Sequence, residues 1–213
     1  MKLNKKVFQI ACDGGAATGK STGAKMIAKK YKLKFLSSGI LYRYASYLLI
    51  KYKPKNQTIF LRKKFKKFSY KKVDIINLHT QEISNYSAVI AKKNSIRKVL
   101  KNFQISFVKK NKNCCIEGRD IGTKILPNAD LKFFFKCNLN LAAYRRYKEL
   151  KKRNNKIKLK DVKKALRIRN NHDLKRKNSP LKKHRNAIEI DTGKLNKREM
   201  LNMMSKHVLE FLK

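Results

Sequence analysis

Tryptophan is absent, and glycine (8), proline (3) and cysteine (4) are scarce for a chain of 213 residues. The cysteines, Cys12, Cys114, Cys115 and Cys137, each lie in or at the end of an apolar, strand-like segment. None has zinc-ligand spacing to a histidine, so they read as small buried thiols in a reducing compartment. No apolar run approaches the length of a membrane span. The apolar stretch after residues 1–6 is too short for a secretory signal. A cytoplasmic protein with no membrane partner is the expectation. Negative charge is the scarcest commodity: 13 Asp and Glu stand against 56 Lys and Arg, a formal net charge of +43. Such a surface suits a polyanion such as RNA. Yet Lys, Asn, Ile, Phe and Tyr crowd a chain poor in Gly, Pro and Trp, the mark of an A/T-rich coding background, and the lysines are spread along its whole length. Bias therefore explains the charge without an obligate nucleic-acid partner, and leaves room for non-specific RNA binding.

Two of these shortages sharpen what is present. With 42% hydrophobic residues the chain can bury a core, as one α/β domain with insertions. In it the run Gly14-Gly15-Ala16-Ala17-Thr18-Gly19-Lys20-Ser21 is a complete phosphate-binding loop. At average glycine usage a chance match is on the order of a per cent, and eight glycines make it rarer. The loop follows a strand-like Val7–Cys12 and precedes a helical pattern through Ala24, Ile27 and Ala28. That context aims free backbone N–H groups and a positive helix end at one anion. Lys20 adds a charge for the β- and γ-phosphates, and the Ser21 hydroxyl suits Mg²⁺. A bound nucleoside triphosphate is expected. The rarity of acids makes their placement informative too: Asp13 abuts this loop, Glu117 and Asp120 flank Gly118-Arg119, and Asp173 sits in a basic run.

Further strands are predicted at Leu33–Leu36, Asn113–Ile116, Leu131–Phe135 and Ala187–Ile190. Helices are predicted at Ile40–Tyr52, within Glu82–Lys110, from an Asn138 or Asn140 cap through Tyr147, at Asp161–Ile168, and from an Asn196/Glu199 capping box through Leu212. Residues 55–78 read as irregular and Lys-rich. Alternating strands and helices imply a parallel, roughly five-stranded sheet covered on both faces: a three-layer P-loop NTPase fold. In such sheets ligands bind beyond the strand carboxyl ends. The Gly14 loop, Ser37-Ser38-Gly39 and Glu117–Asp120 each follow a strand and are expected to converge.

A phosphate loop alone names no reaction. Arg43, Arg97 and Arg119 supply guanidinium forks for phosphate or base edges. Asp120, acceptor-only when ionised, suits an exocyclic amine such as cytosine N4. Arg169, Asp173 and Arg176, spaced four and three apart, are predicted to share one helical face.

Together, Gly14–Thr22, Ser38-Gly39-Ile40-Leu41-Tyr42-Arg43 and Glu117-Gly118-Arg119-Asp120-Ile121-Gly122-Thr123, then Pro127–Asp130, resemble bacterial cytidylate kinases. So do Thr80-Gln81-Glu82, Ser179-Pro180-Leu181 and Ala187–Thr192. The likeness runs from first strand to last helix and is weakest between about 53 and 78. It implies a monomeric kinase taking ATP and CMP or dCMP with Mg²⁺. A core of about 5–52, 80–147 and 184–213 would carry a small NMP-binding insert at about 53–79 and a helical lid at about 148–183. Gly14, Gly15, Ala16, Ala17, Thr18, Gly19, Lys20, Ser21 and Thr22 would hold ATP, with Mg²⁺ on Ser21 through the nucleotide. Ser38, Arg43, Arg119 and Arg176 would hold the CMP phosphate. Arg97 and Asp120 would read the cytosine, and Arg169 and Asp173 would meet the ribose. Lys20, Arg119 and Arg176 would be the catalytic cations. The chain departs from the family at His172, usually arginine, with Asn170 and Asn171 beside it; at Ala142, often arginine; and at Ala88, where a serine touches the base. These departures bear on selectivity and rate. Another small-molecule P-loop kinase and an NTP-switched RNA-binding protein are the alternative readings.

Overall fold

A computed structural model describes residues 7–70, 73, 75–152 and 155–213. Residues 5–6 of the expected core, 71, 72 and 74 of the insert, and 153–154 of the lid lie outside the described residues.

Five strands form one parallel sheet in the order β2-β3-β1-β4-β5. They are β1 (Gln9–Gly14), β2 (Lys34–Ser37), β3 (Cys114–Gly118), β4 (Leu131–Lys136) and β5 (Ile188–Asp191). Each lies within two residues of its sequence-based position. The register pairs Cys12 with Glu117 across β1–β3 and with Phe133 across β1–β4. The two most buried strands are therefore the ones that run into the phosphate loop and the Glu117–Asp120 segment.

The chain packs as two compact units, one comprising the residues up to Leu36 with Asn111–Lys213, the other Ser37–Lys110. In the first, helix α1 (Lys20–Lys30) packs its Ala24, Ile27 and Ala28 stripe on Phe8, Ile10, Cys12, Phe133 and Phe135. The amphipathic α8 (Lys197–Leu212) adds Met200, Met204 and Val208. Full burial of such side chains stabilises by about 1.5–3 kcal/mol each. The approach is close at Gly23, where a Cβ would lie 2.7 Å from the Phe135 ring. The capping box at Asn196 and Glu199 is formed, and Asn138 caps α6 (Leu139–Lys151). Helix α7 runs Leu159–Lys175, longer than its predicted stretch. Its Val162 and Leu166 join Ala143 of α6 and Ala16 of the phosphate loop in a second apolar cluster, which seats α7 beside the loop.

The second unit contains α2 (Ser38–Tyr52), α3 (Gln57–Lys66), α4 (Gln81–Ile90) and α5 (Asn94–Lys110). It is larger than the segment 53–79, because Ile40, Tyr44, Tyr47 and Ile50 of α2 pack against Val73, Leu78 and Ile83. The stretch read as irregular holds α3, whose Asn56 cap accepts from the Ile59 amide and whose Leu61 and Phe65 are buried. The single helical region 82–110 divides in two for a geometric reason. Ile83, Ser87 and Ile90 line one face of α4, and Ile96, Val99 and Leu100 one face of α5. Ile96 lies six positions after Ile90, so an unbroken helix at about 100° per residue would turn Ile96 roughly 120° away from Ile90.

The thiols of Cys12, Cys114 and Cys115 are buried and all four cysteines are free. Burial pushes Cys114 up to about 12 and Cys12 well above the usual thiol range, so both stay protonated.

Candidate active site

Between β1 and α1 the backbone turns sharply: Gly19, at φ 78°, caps α1 in the left-handed region, and Ala17 takes φ 57°. A β-carbon makes that conformation costly at Ala17, by about 1–3 kcal/mol, and such strain is typical of ligand-clamping backbone. The loop is braced from several sides. Thr18 Oγ1 and Lys20 Nζ both donate to the Gly15 carbonyl, at 3.0 and 3.3 Å. Thr192, just past β5, donates its hydroxyl to the Thr18 carbonyl at 2.9 Å, and is itself held by Arg145 through its hydroxyl (3.0 Å) and carbonyl (2.7 Å). The Ala16 amide donates to Asn170 Oδ1 on α7 at 3.0 Å.

Lys20 is almost wholly buried, with Glu117 Oε2 from the end of β3 at 3.7 Å. Burial first, then Arg119, push its ammonium down to about 7; Arg169 adds to this while Glu117 and Asp173 pull the other way. Arg169 is likewise pushed down to about 10 by burial and by Arg119. Arg119 and Arg169 thus crowd the desolvated Lys20, and Arg119 also crowds Arg169. An arrangement of this kind is unfavourable in the free protein and favourable once a multiply charged anion enters.

Beyond Glu117, Arg119 Nε donates to Asp173 Oδ2 at 2.8 Å. Arg176 meets Asp173 Oδ1 at 3.4 Å and Asp120 Oδ1 at 3.8 Å. Burial would raise the Asp173 carboxyl, but Arg119, Arg169 and Arg176 together hold it below the usual carboxylate range. Asp173 thus orients two guanidinium groups in the free protein. Arg176 is the C-cap of α7: its φ of −63° is still helical, so its side chain meets Asp173 three residues back, while its ψ of 137° takes the chain out of the helix. Ser179, at φ 51°, turns the chain before Pro180, so Arg176 Nε donates to the Ser179 carbonyl at 2.6 Å.

Asp13, buried at the end of β1, accepts from the backbone N–H groups of Ile121 (2.8 Å) and Gly122 (2.7 Å). Burial lifts its carboxyl to about 6, against the lowering effect of those two bonds. It ties the residues just after Arg119-Asp120 to the strand that launches the phosphate loop.

Lys20, Arg119, Asp120, Arg169, Asp173 and Arg176, together with Gly14–Thr22, therefore lie in the first unit, with the cations around Lys20 and Asp173. Ser38, Arg43 and Arg97 lie in the second. There Ser38 is buried at the start of α2, and Arg43 donates to the Leu78 carbonyl (2.9 Å) and Ser84 Oγ (2.8 Å). Arg97 donates to the Ala91 carbonyl and lies over the Tyr42 ring. Glu117, Asn170, Asp13, and the Arg145–Thr192 brace were not among the predicted site residues. Glu117 and Asp13 carried a signal, as rare acids beside Gly118-Arg119 and beside the phosphate loop.

A phosphate loop after the first strand of a parallel sheet, with its buried lysine among half-buried arginines, defines a P-loop kinase. The chain belongs to the cytidylate kinase family, whose model matches residues 10–210. Among curated relatives, a Bartonella tribocorum protein named cytidylate kinase is 35% identical over 195 residues, covering 89% of each chain. One from Rickettsia canadensis with the same name is 34% identical over 210 residues, 97% of this chain and 94% of the relative. Solved structures from Eubacterium ventriosum (TM-score 0.55, 17% identity, 96% of this chain and 99% of that one) and Thermus thermophilus (0.54, 15%, 98% and 100%) share the fold. Among the described residues no helix is long and apolar enough to cross a membrane.

Proposed function

We propose that the protein transfers the γ-phosphate of ATP to CMP or dCMP, giving ADP and CDP or dCDP. The observation that carries the reading is the cluster of Lys20, Arg119 and Arg169 behind a strained phosphate loop, where burial and Arg119 push Lys20 and Arg169 down. It is charge laid out for phosphates, in a chain whose relatives are named for cytidylate phosphorylation.

In this reading the loop residues 14–22 bind the ATP phosphates and Lys20 neutralises charge on the transferring group. An oxygen of the CMP phosphate attacks the γ-phosphorus in line, and the bond from that phosphorus to the bridging oxygen of ADP breaks. The nucleophile is already anionic, so no strong base is needed, and positioning with charge stabilisation does the work. Arg119 and Arg176, pre-oriented by Asp173, take the acceptor phosphate. Asp120 reads the cytosine, while Arg169 and Asp173 approach the ribose. The segments 53–79 and 148–183 serve as NMP-binding insert and lid. Mg²⁺ fits as a passenger of the nucleotide: among the described residues no three His, Cys, Asp or Glu gather as a cage, while Ser21 and Glu117 offer oxygens at the loop. When bound it would neutralise charge on the β- and γ-phosphates. The chain acts as a cytoplasmic monomer, and any RNA binding is non-specific.

Steady-state ADP release with CMP, dCMP, UMP and AMP as acceptors tests this reading. CMP and dCMP are expected to lead the panel, and Asp120→Ala to erase the CMP-over-UMP preference by about 1–3 kcal/mol, roughly tenfold or more. Unchanged selectivity in the variant would remove Asp120 from base recognition, and AMP leading the panel would overturn the reading.

The depressed Lys20 also predicts a pH dependence. ATP phosphates raise the ammonium pKa, so ATP binds the protonated form and binding takes up a proton. Its KM should rise as pH climbs from about 7 to about 9, up to tenfold per unit, and calorimetry in buffers of different ionisation enthalpy should show the uptake. A flat KM with no buffer dependence would mean that Lys20 stays charged throughout.

A further inference from the structure

Helix α7 touches both halves of the first unit's site on successive turns. Asn170 accepts from the Ala16 amide of the phosphate loop, and three residues on Asp173 accepts from Arg119. The Gly15–Ala16 link is one planar peptide unit with a partner on each side. Its carbonyl, that of Gly15, receives Lys20 Nζ and Thr18 Oγ1. Its N–H, that of Ala16, donates to Asn170. A peptide plane moves as a body, so whatever draws Lys20 off the Gly15 carbonyl changes the setting of the N–H that Asn170 holds. Phosphates entering the loop compete for that lysine directly. The helix lies close here: a Cβ at Gly15 would be 3.5 Å from Asn170 Oδ1, an ordinary contact, and 3.3 Å from Thr18 Cγ2. The side chain at 170 is also neutral, so it takes the loop amide without setting a negative charge against incoming phosphates.

We propose that Asn170 is a positioning residue that couples the two substrates: occupancy of the phosphate loop, felt through the Gly15–Ala16 peptide, is passed along α7 to Asp173 and so to the setting of Arg119. The inference rests on the assignment of ATP and CMP above, and adds a link between them that neither site requires. Coupling of this kind is a ratio of affinities. It is read as the Kd of CMP without and with a saturating non-hydrolysable ATP analogue, by calorimetry on the full chain.

In the parent protein the analogue should tighten CMP binding by about fivefold or more. Asn170→Ala should bring that ratio close to one. Asn170→Asp keeps an acceptor for the Ala16 amide and should keep the ratio, while weakening the analogue itself by placing a carboxylate beside its phosphates. A residue that merely props the helix would shift both CMP affinities together and leave the ratio intact. A ratio equal in parent and Asn170→Ala, or a ratio of one in the parent, overturns the coupling while CMP turnover still stands. A parent that does not bind CMP at all overturns the assignment of CMP and the coupling with it.

Discussion

Lys20→Ala is expected to abolish phosphoryl transfer, lowering kcat by about a thousandfold or more, with the protein still folded. The size follows from what the side chain does. It is the ammonium reaching from the phosphate loop into a region where burial and neighbouring arginines already make positive charge expensive, and a fixed charge in such surroundings is worth far more than one in water. The fold should survive because little of the core depends on the lysine. α1 stays anchored by Ala24, Ile27 and Ala28, and Glu117, the carboxylate at 3.7 Å from Lys20, remains within the field of Arg169. Removing a buried, pKa-depressed cation also removes a desolvation cost. Circular dichroism should therefore give a cooperative melt, while the coupled ADP assay reads near zero. Near-normal transfer by the variant would exclude Lys20 from the chemistry.

Arg119→Ala should be almost as damaging, with kcat/KM for the acceptor nucleotide lower by about 10²–10⁴. Arg119 stands where two tasks meet. Its Nε is committed to Asp173 at 2.8 Å and its Nη1 donates to the Gly118 carbonyl at 3.4 Å, which fixes the plane of the guanidinium. Its charge also contributes to depressing Lys20 and Arg169, so its loss should raise both pKa values and flatten the pH dependence of the ATP KM. Arg119→Lys should recover only a small part of the activity, because a point charge on a flexible stem cannot hold Asp173 and a phosphate at once. Full rescue by lysine would show that charge alone, and not the oriented fork, is what the site needs.

What the sequence disclosed and what it hid divide along physical lines. The five strands were legible because parallel strands buried on both faces read as short apolar runs. The phosphate loop was legible because glycine is rare here and a complete loop between a strand and a helix seldom arises by chance. The Asn196/Glu199 capping box is a local device, and it formed as read. Helix α3 was hidden by lysines on its exposed side, which masked a two-residue apolar stripe of Leu61 and Phe65. The extent of the second unit was hidden because a change in composition at Lys53 does not coincide with a change in packing partner: α2 buries Tyr44 and Tyr47 against residues from beyond that point. The contact of Arg176 with the Ser179 carbonyl depended on a positive φ at Ser179, which spacing along a helix does not disclose. Asn170 and the Arg145–Thr192 brace act on the phosphate loop from more than a hundred residues away in the chain. Contacts of that range are made by the fold, and nothing local to Asn170 or Thr192 announces them.

One phosphoryl group is expected to pass directly from ATP to a cytidine monophosphate. Single-turnover mixing of γ-labelled ATP with CMP, followed by separation of the nucleotides, measures it most directly. The label is expected to appear in CDP at the rate ADP is formed, with little released as inorganic phosphate. Label appearing as inorganic phosphate regardless of CMP, or failing to reach CDP at all, would contradict direct transfer.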